Sequence, residues 1–309
     1  MSKAAKIVLI TAIILVVTGI GLTVVGAITA AGKGGLGGGK YTKQETVVTD
    51  KFSNIDVSEV SADVVFKPSA DGQVKIEYYD NDNYKHKIDV SGDTLKIVYK
   101  DEDNTPWWLR INIGNWWNTS TEEIVTTVYI PAGEYGSLNV STVSGDVNVP
   151  GDYSFDGTVI STVSGDVSAL CKMVSGVNVN TTSGNITAAN VSGSGVDFNT
   201  ISGEVSLSGT SVSGTVDIDT TSGDVTLTNV TAGTTKVSTV SGEVNVTAIN
   251  ADNIDISTTS GDVKGTVAGE HEFDVDTTSG DISLPSNIKG MPLVSVDTVS
   301  GDVALDSVA

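Results

Sequence analysis

Nine times between Thr142 and Val303 the chain writes one hexad: Thr, a β-branched residue, Ser-Gly, then Asp, Glu or Asn, then Val or Ile. The hexad glycines are Gly145, Gly165, Gly184, Gly203, Gly223, Gly242, Gly261, Gly280 and Gly301, separated by 19 to 21 residues. A period of this size means one short supersecondary unit stacked on copies of itself, because no single copy can bury its apolar face alone.

Within a unit the period is two. Before Gly223, Val216, Ile218 and Thr220 alternate with Asp217 and Asp219, as in a half-buried strand. A second strand follows the hexad, with Val225 and Leu227 on one side and Thr226 and Thr228 on the other. Five residues before the glycine every copy is apolar: Val140, Ile160, Val179, Phe198, Ile218, Val237, Ile256, Val275 and Val296. These side chains are expected to form the core ladder. Ser-Gly is expected to turn the chain, since glycine accepts positive φ and serine satisfies nearby backbone groups. The near-constant spacing, with an irregular Gly- or Asn-containing return segment in each copy, favours an all-β fold: a β-solenoid of about nine coils. At about 4.8 Å per coil the rod would be roughly 43 Å long. A meander of nine antiparallel hairpins is the alternative.

The chain carries a net charge of −21. Residues 137–309 hold 21 Asp and Glu against four Lys and no Arg, a net of −17, so the rod is acidic. Phosphate recognition depends on Lys and Arg, which excludes nucleic acid as the expected partner. The single cysteine, Cys171, permits no intrachain disulfide and reads as a small apolar filler.

From Ile7 to Ala31 the chain runs 25 residues without a charge, enough to cross a hydrocarbon layer of about 30 Å. With Lys3 and Lys6 ahead of it, this reads as a signal anchor, longer than the core of a cleavable signal peptide. Cleavage near Ala27 or Ala30 is the alternative. The expected organisation is a tail and transmembrane helix over 1–31, a glycine-rich linker over 32–44, a β-rich cap over 45–136 and the repeat solenoid over 137–309. The cell membrane is the expected location, single-pass, with the repeats outside.

The cap contains degenerate copies of the repeat. Ile55 to Phe66 aligns with Val216 to Leu227, Ala62 standing where the glycine would be, and Ser91-Gly92-Asp93 reads as a second degenerate corner. An open solenoid end needs such an atypical unit to shield it. The order of basic tail, apolar span, glycine linker, Phe52-Ser-Asn-Ile55-Asp-Val57, Lys67-Pro68-Ser69-Ala-Asp71, Val128-Tyr-Ile130-Pro131 and repeated Ser-Gly-Asp-Val resembles the bacterial β-strand-repeat family called putative adhesin, a domain of unknown function. The resemblance covers roughly residues 45 to 305. It implies an envelope-associated repeat protein with no catalytic residues to carry over. No cofactor is expected, and the expected partner is an unidentified protein or glycan of the envelope.

Two places stand out as candidate sites. Trp107, Trp108, Trp116 and Trp117 are the only tryptophans and fall within one short stretch. They suit a membrane-interface anchor or a partner surface, or else rings packed over the first coil. Stacking would also align Asp146, Asp166, Asn185, Glu204, Asp224, Glu243, Asp262, Asp281 and Asp302 in a column. Like charges about 4.8 Å apart repel by roughly 1 kcal/mol in water, which Ca²⁺ would relieve. The spacing lacks the Gly-Gly-x-Gly-x-Asp repeat of calcium-binding β-rolls, so a solvated acidic ladder is expected, with Asp146, Asp166, Asp224, Asp262, Asp281 and Asp302 as the weak metal candidates.

The residues argue against an enzyme. A polysaccharide-acting β-helix would need a basic residue with carboxylates in a cleft, whereas Lys172, Lys236, Lys264 and Lys289 are scattered. His86 and His271 lack metal-ligand spacing and are expected at the surface. The hexad threonines share the phase of the core and are expected to point inward.

Overall fold

The computed structural model describes residues 41–81, 84–101 and 124–308, and all their regular structure is β. The apolar run from Ile7 to Ala31 and the four tryptophans lie outside these residues. Among the described residues no helix is long and apolar enough to cross a membrane.

The pairings between repeats are parallel, and they hold one register apart from single shifts at Phe155/Gly157 and Val246/Ile249. Val205, Val225 and Val244 sit one above another after the hexads of three successive coils, as do Val216, Thr235 and Ile254 before them. Each circuit therefore climbs one strand spacing, which is a solenoid; an antiparallel meander is overturned. We number the coils 1 to 9 by their hexad glycines, Gly145 to Gly301. The interior is the expected ladder: Val140, Ile160, Val179, Phe198, Ile218, Val237, Ile256 and Val296 are fully buried. Val275 of coil 8 is only half-buried, for a reason that the ends of the rod explain.

The hexad glycines serve a different purpose from the one expected. None of them has positive φ. A Cβ built on Gly223 would lie 1.7 Å from the carbonyl oxygen of Gly203, and one on Gly184 would lie 1.8 Å from that of Gly165. The coils pass so closely at this corner that only a hydrogen fits between their backbones. The hexad threonine completes the turn from inside: Thr220 Oγ1 accepts from Gly223 N at 3.1 Å, and Thr239 Oγ1 from Gly242 N at 3.0 Å. Left-handed backbone appears instead at a second corner, six residues after the glycine, in Asn190, Gly209, Asn229 and Ala248, with φ of 60°, 58°, 54° and 53°. Asn and Gly are the residue types that tolerate it.

Two threonines are placed at a cost. Thr158 and Thr235 replace aliphatics in the core ladder, and the hydroxyl of each is buried without a hydrogen-bond partner. Thr235 lies between Val216 and Ile254. Thr235→Val should therefore stabilise the rod by about 1–2 kcal/mol, seen as a raised Tm, because an isosteric methyl replaces an unsatisfied hydroxyl. A lowered Tm would show that the hydroxyl is satisfied in solution.

At both ends the order of coils in space departs from the order in sequence. Among the described residues seven strands build the N-terminal end: β1 (Thr42–Val48), β2 (Asn54–Ser58), β3 (Asp63–Pro68), β4 (Val74–Asp80), β5 (Tyr84–Ser91), β6 (Thr94–Asp101) and β7 (Val125–Ile130). The coil made by β2 and β3 is wedged between coil 1 on one side and β6 and β7 on the other, all in parallel. Ala62 stands beneath Gly145 as the alignment predicts, its carbonyl 1.9 Å from where a Cβ of Gly145 would be. Antiparallel strands finish the end, with β5 on β6, β4 on β7 and β1 on β4. Ser91-Gly92-Asp93 is thus a hairpin turn and not a solenoid corner: Gly92, at φ 65°, reverses the chain so that Ser91 pairs with Thr94.

At the other end coil 9 lies between coils 7 and 8. Leu293–Asp297 pairs with Asn253–Ser257 of coil 7 and with Glu272–Asp276 of coil 8. Val303–Val308 pairs with the strand Val263–Ala268, and Val303 and Ala304 also pair with Ile282 and Ser283. Coil 8 is therefore outermost, which is why Val275 keeps some exposure. Residues 284–292 fold back over it. Asn287 accepts from Phe273 N at 3.1 Å and donates to Phe273 O at 2.9 Å, occupying backbone groups that a further strand would use.

Candidate functional site

The acidic column exists, and it is bonded to the backbone as well as exposed. Asp146 N donates to Asp63 Oδ1 at 2.8 Å, Asp166 N to Asp146 Oδ1 at 2.8 Å, and Asn185 N to Asp166 Oδ1 at 2.7 Å. The pattern continues from Glu204 N to Asn185 Oδ1, Glu243 N to Asp224 Oδ1, Asp302 N to Asp262 Oδ1 and Asp281 N to Asp302 Oδ1. Each short side chain thus satisfies an amide that the tight glycine corner leaves without a ladder partner. The amide of Asp302, with Lys264 Nζ at 3.0 Å from Asp262, holds the Asp262 carboxyl below its usual value. Glu204 and Glu243 are not acceptors in this series; their extra methylene carries the carboxylate past the amide. Glu204→Asp should restore the bond to Asp224 N and stabilise by about 1 kcal/mol. An unchanged or lowered Tm would refute this.

Beside the column, on coils 1 to 4, runs a shallow groove of about 480 Å³. Asp146, Asp166, Asn185 and Glu204 form one side, and Asn148, Ser168, Thr187 and Ser206 lie along the other. Its floor is a parallel sheet, so the two rows repeat at the strand spacing of about 4.8 Å. Among the described residues no group of three or more His, Cys, Asp or Glu side chains is placed to hold a metal ion. The column spreads its carboxylates along the rod and does not bring them to one point.

One cluster of buried charge was not anticipated. His86 is not at the surface: its side chain is 1% exposed, with Nε2 2.8 Å from Glu59 Oε1 and Nδ1 2.9 Å from Asp80 Oδ1. Thr126 donates to Glu59 Oε1 at 2.6 Å, and the rings of Tyr78 and Tyr99 flank the imidazole at 4.7 and 5.0 Å. With a carboxylate at each nitrogen, the ring donates to both only as the imidazolium. Burial alone would lower its pKa, but the bonds and charges of Glu59 and Asp80 outweigh that and raise it. The cluster joins β4, β5, β7 and the segment after β2, so it is a clamp on the cap. His271 is buried too, at 2% exposure, with its ring against Phe273 on coil 8. Neither position carried a spacing signal, because the partners of His86 come from separate strands.

The repeat architecture and its column agree with a family match. The model for Toastrack DUF4097 matches residues 52–306. The chain belongs to this toastrack family. The toastrack rod is also similar to solved structures, each covered over almost its full length. One is a putative adhesin of Parabacteroides distasonis at 13% identity and TM-score 0.43, covering 88% of this chain and 98% of that one. Another is a putative adhesin of Bacteroides fragilis at 15% and 0.36, covering 87% and 97%. A third, called a putative lipid binding protein of P. distasonis, stands at 16% and 0.37, covering 88% and 98%. At these identities and scores the likenesses carry no functional argument. No curated protein matches the chain.

Cys171 is fully buried, and burial pushes its thiol up to about 12, so it is an inert filler. Lys236 pairs with Asp217 of the preceding coil at 3.0 Å, and Lys264 pairs with Asp262 of its own coil at 3.0 Å and with Glu243 of the preceding coil at 3.6 Å, so both basic side chains are spent on nearby carboxylates. The hexad threonines Thr142, Thr162, Thr181, Thr200, Thr220, Thr239, Thr258 and Thr298 are buried as expected.

Proposed function

We propose that this toastrack chain is a non-enzymatic interaction rod, held at the cell membrane by Ile7 to Ala31 and displaying its repeats outside, where it engages a protein or glycan of the envelope. The observation that carries the reading is the groove on coils 1 to 4. There two rows of unlike polar side chains, acidic on one side and hydroxyl or amide on the other, line a continuous groove. Repeated hydroxyls and amides at strand spacing suit an extended, polar chain with its own regular repeat. The stacked interior and the tight corners commit the rest of each coil to architecture, which supports a binding role over catalysis.

The test is made on cells expressing the full chain. Antibody against residues 137–308 should label intact cells, and the chain should stay with membranes through an alkaline carbonate wash. A chain recovered from the soluble interior would refute the anchoring. Thr187→Arg with Ser206→Arg should abolish adherence of these cells to envelope material while leaving the Tm unchanged. Undiminished adherence would remove the groove from the function.

A further inference from the structure

The ninth coil is held as no chain-terminal repeat of a sequential stack would be. Thr258 N and Val263 N of coil 7 donate to Asp297 O and Asp302 O, while Thr298 N and Val303 N of coil 9 donate to Asp276 O and Asp281 O of coil 8. The side-chain ladder passes through it as well, from Asp262 to Asp302 to Asp281. Coil 9 therefore fills a slot with two walls. Both walls present the same hexad chemistry that every other coil presents, so the slot is specific for a repeat of this chain.

The connection into the slot is separately anchored. Residues 284–292 are bonded to coil 8 and not to coil 9: Ile288 N donates to His271 O, Asn287 brackets Phe273, and Gly290 N donates to Glu272 Oε2 at 2.8 Å. Gly290, at φ 84°, ends this anchor, and the exposed Met291 links it to Pro292, whose carbonyl accepts from Glu272 N at 3.0 Å and begins the pairing of coil 9 on coil 8. Coil 9 can leave about that point while coil 8 keeps its covering loop. Chain length sets no barrier, because the coil 7 to 8 and 8 to 9 intervals, 19 and 21 residues, are close to all the others. An emptied slot exposes two parallel sheet edges and a row of core aliphatics, including Ile256 and Val275. The element that restores every lost contact is another ninth coil.

We propose that the ninth coil is an exchangeable element that joins two copies of this chain, residues 291–308 of each seated between coils 7 and 8 of the other. A wedged coil differs here from one stacked last: it meets its neighbours on both faces, so its exchange links the copies through four strand pairings in each slot.

Asp274 and Ser295 are parallel partners on the outward face of coils 8 and 9. The full chain carrying Asp274→Cys and Ser295→Cys, unfolded and refolded in detergent and then oxidised, should give disulfide-linked dimers whose share rises severalfold from dilute to concentrated refolding. Ser206→Cys with Thr226→Cys, partners on interior coils that cannot exchange, should cross-link only within one chain under both conditions. Cross-linking confined to single chains for Asp274→Cys/Ser295→Cys, or equal dimer shares for the two pairs, would overturn the proposal. So would light scattering that finds the unsubstituted chain monomeric after concentrated refolding, a measurement that needs no substitution to fold.

Discussion

Gly223→Ala should cost the rod about 3 kcal/mol or more, among the larger losses expected from adding a single methyl in the repeats. The new Cβ would stand 1.7 Å from Gly203 O, 2.6 Å from its carbonyl carbon and 2.9 Å from Thr220 Oγ1. Two of these atoms are backbone of the coil beneath, which is itself pinned by Gly184 below, so no flexible side chain can give way. Relief requires the coils to part, and parting breaks the parallel ladder on either side of the corner. Gly157→Ala is the control, because a Cβ there meets nothing within 4 Å and φ is not positive. Its Tm should stay close to that of the parent. If the two alanine variants melt together, close approach is not what demands glycine in the hexad.

The repeat made the fold legible because each level of the sequence agreed with the next: a period of two within the strand, an apolar residue five before the glycine, and a constant interval between glycines. The role of that glycine was harder to read. Glycine at a turn usually signals positive φ, and the contact that truly requires it is to a residue 19 or 20 positions away in the interior coils and farther at the ends, which no local pattern displays. The left-handed corner, by contrast, was written in Asn190, Gly209 and Asn229, six residues past each glycine; Ala248 obscured it. The wedged order of coils was not legible at all. Coils 8 and 9 carry interchangeable hexads, so either could stack on coil 7, and what separates them is Asn287, which closes the outer edge of coil 8 alone. The acidic column was visible as charge, but its bonds to successive amides depend on side-chain length, which is why Asp and Asn serve and Glu does not.

The second large effect belongs to the clamp on the cap. His86→Phe should destabilise the chain by about 3–5 kcal/mol near pH 6, since it leaves Glu59 buried with only the Thr126 hydroxyl and strips Asp80 of a charged donor. The double variant His86→Phe with Glu59→Leu should lose less than the single one, because the stranded carboxylate is then gone as well. The pH dependence follows from the raised folded pKa of His86. Its contribution is complete below the ordinary histidine value of about 6.5 and is lost as pH rises through the higher folded value, when one ring nitrogen faces a carboxylate without a proton between them. The Tm of the parent should fall as pH is raised from about 6.5 into the alkaline range, with a slope that His86→Phe lacks. The imidazole resonances of His86 should titrate above 6.5 over the same interval. A titration at or below 6.5, together with a cost under about 1 kcal/mol for His86→Phe, would mean that the ring sits neutral between its carboxylates and that the cap is held by its strand pairings alone.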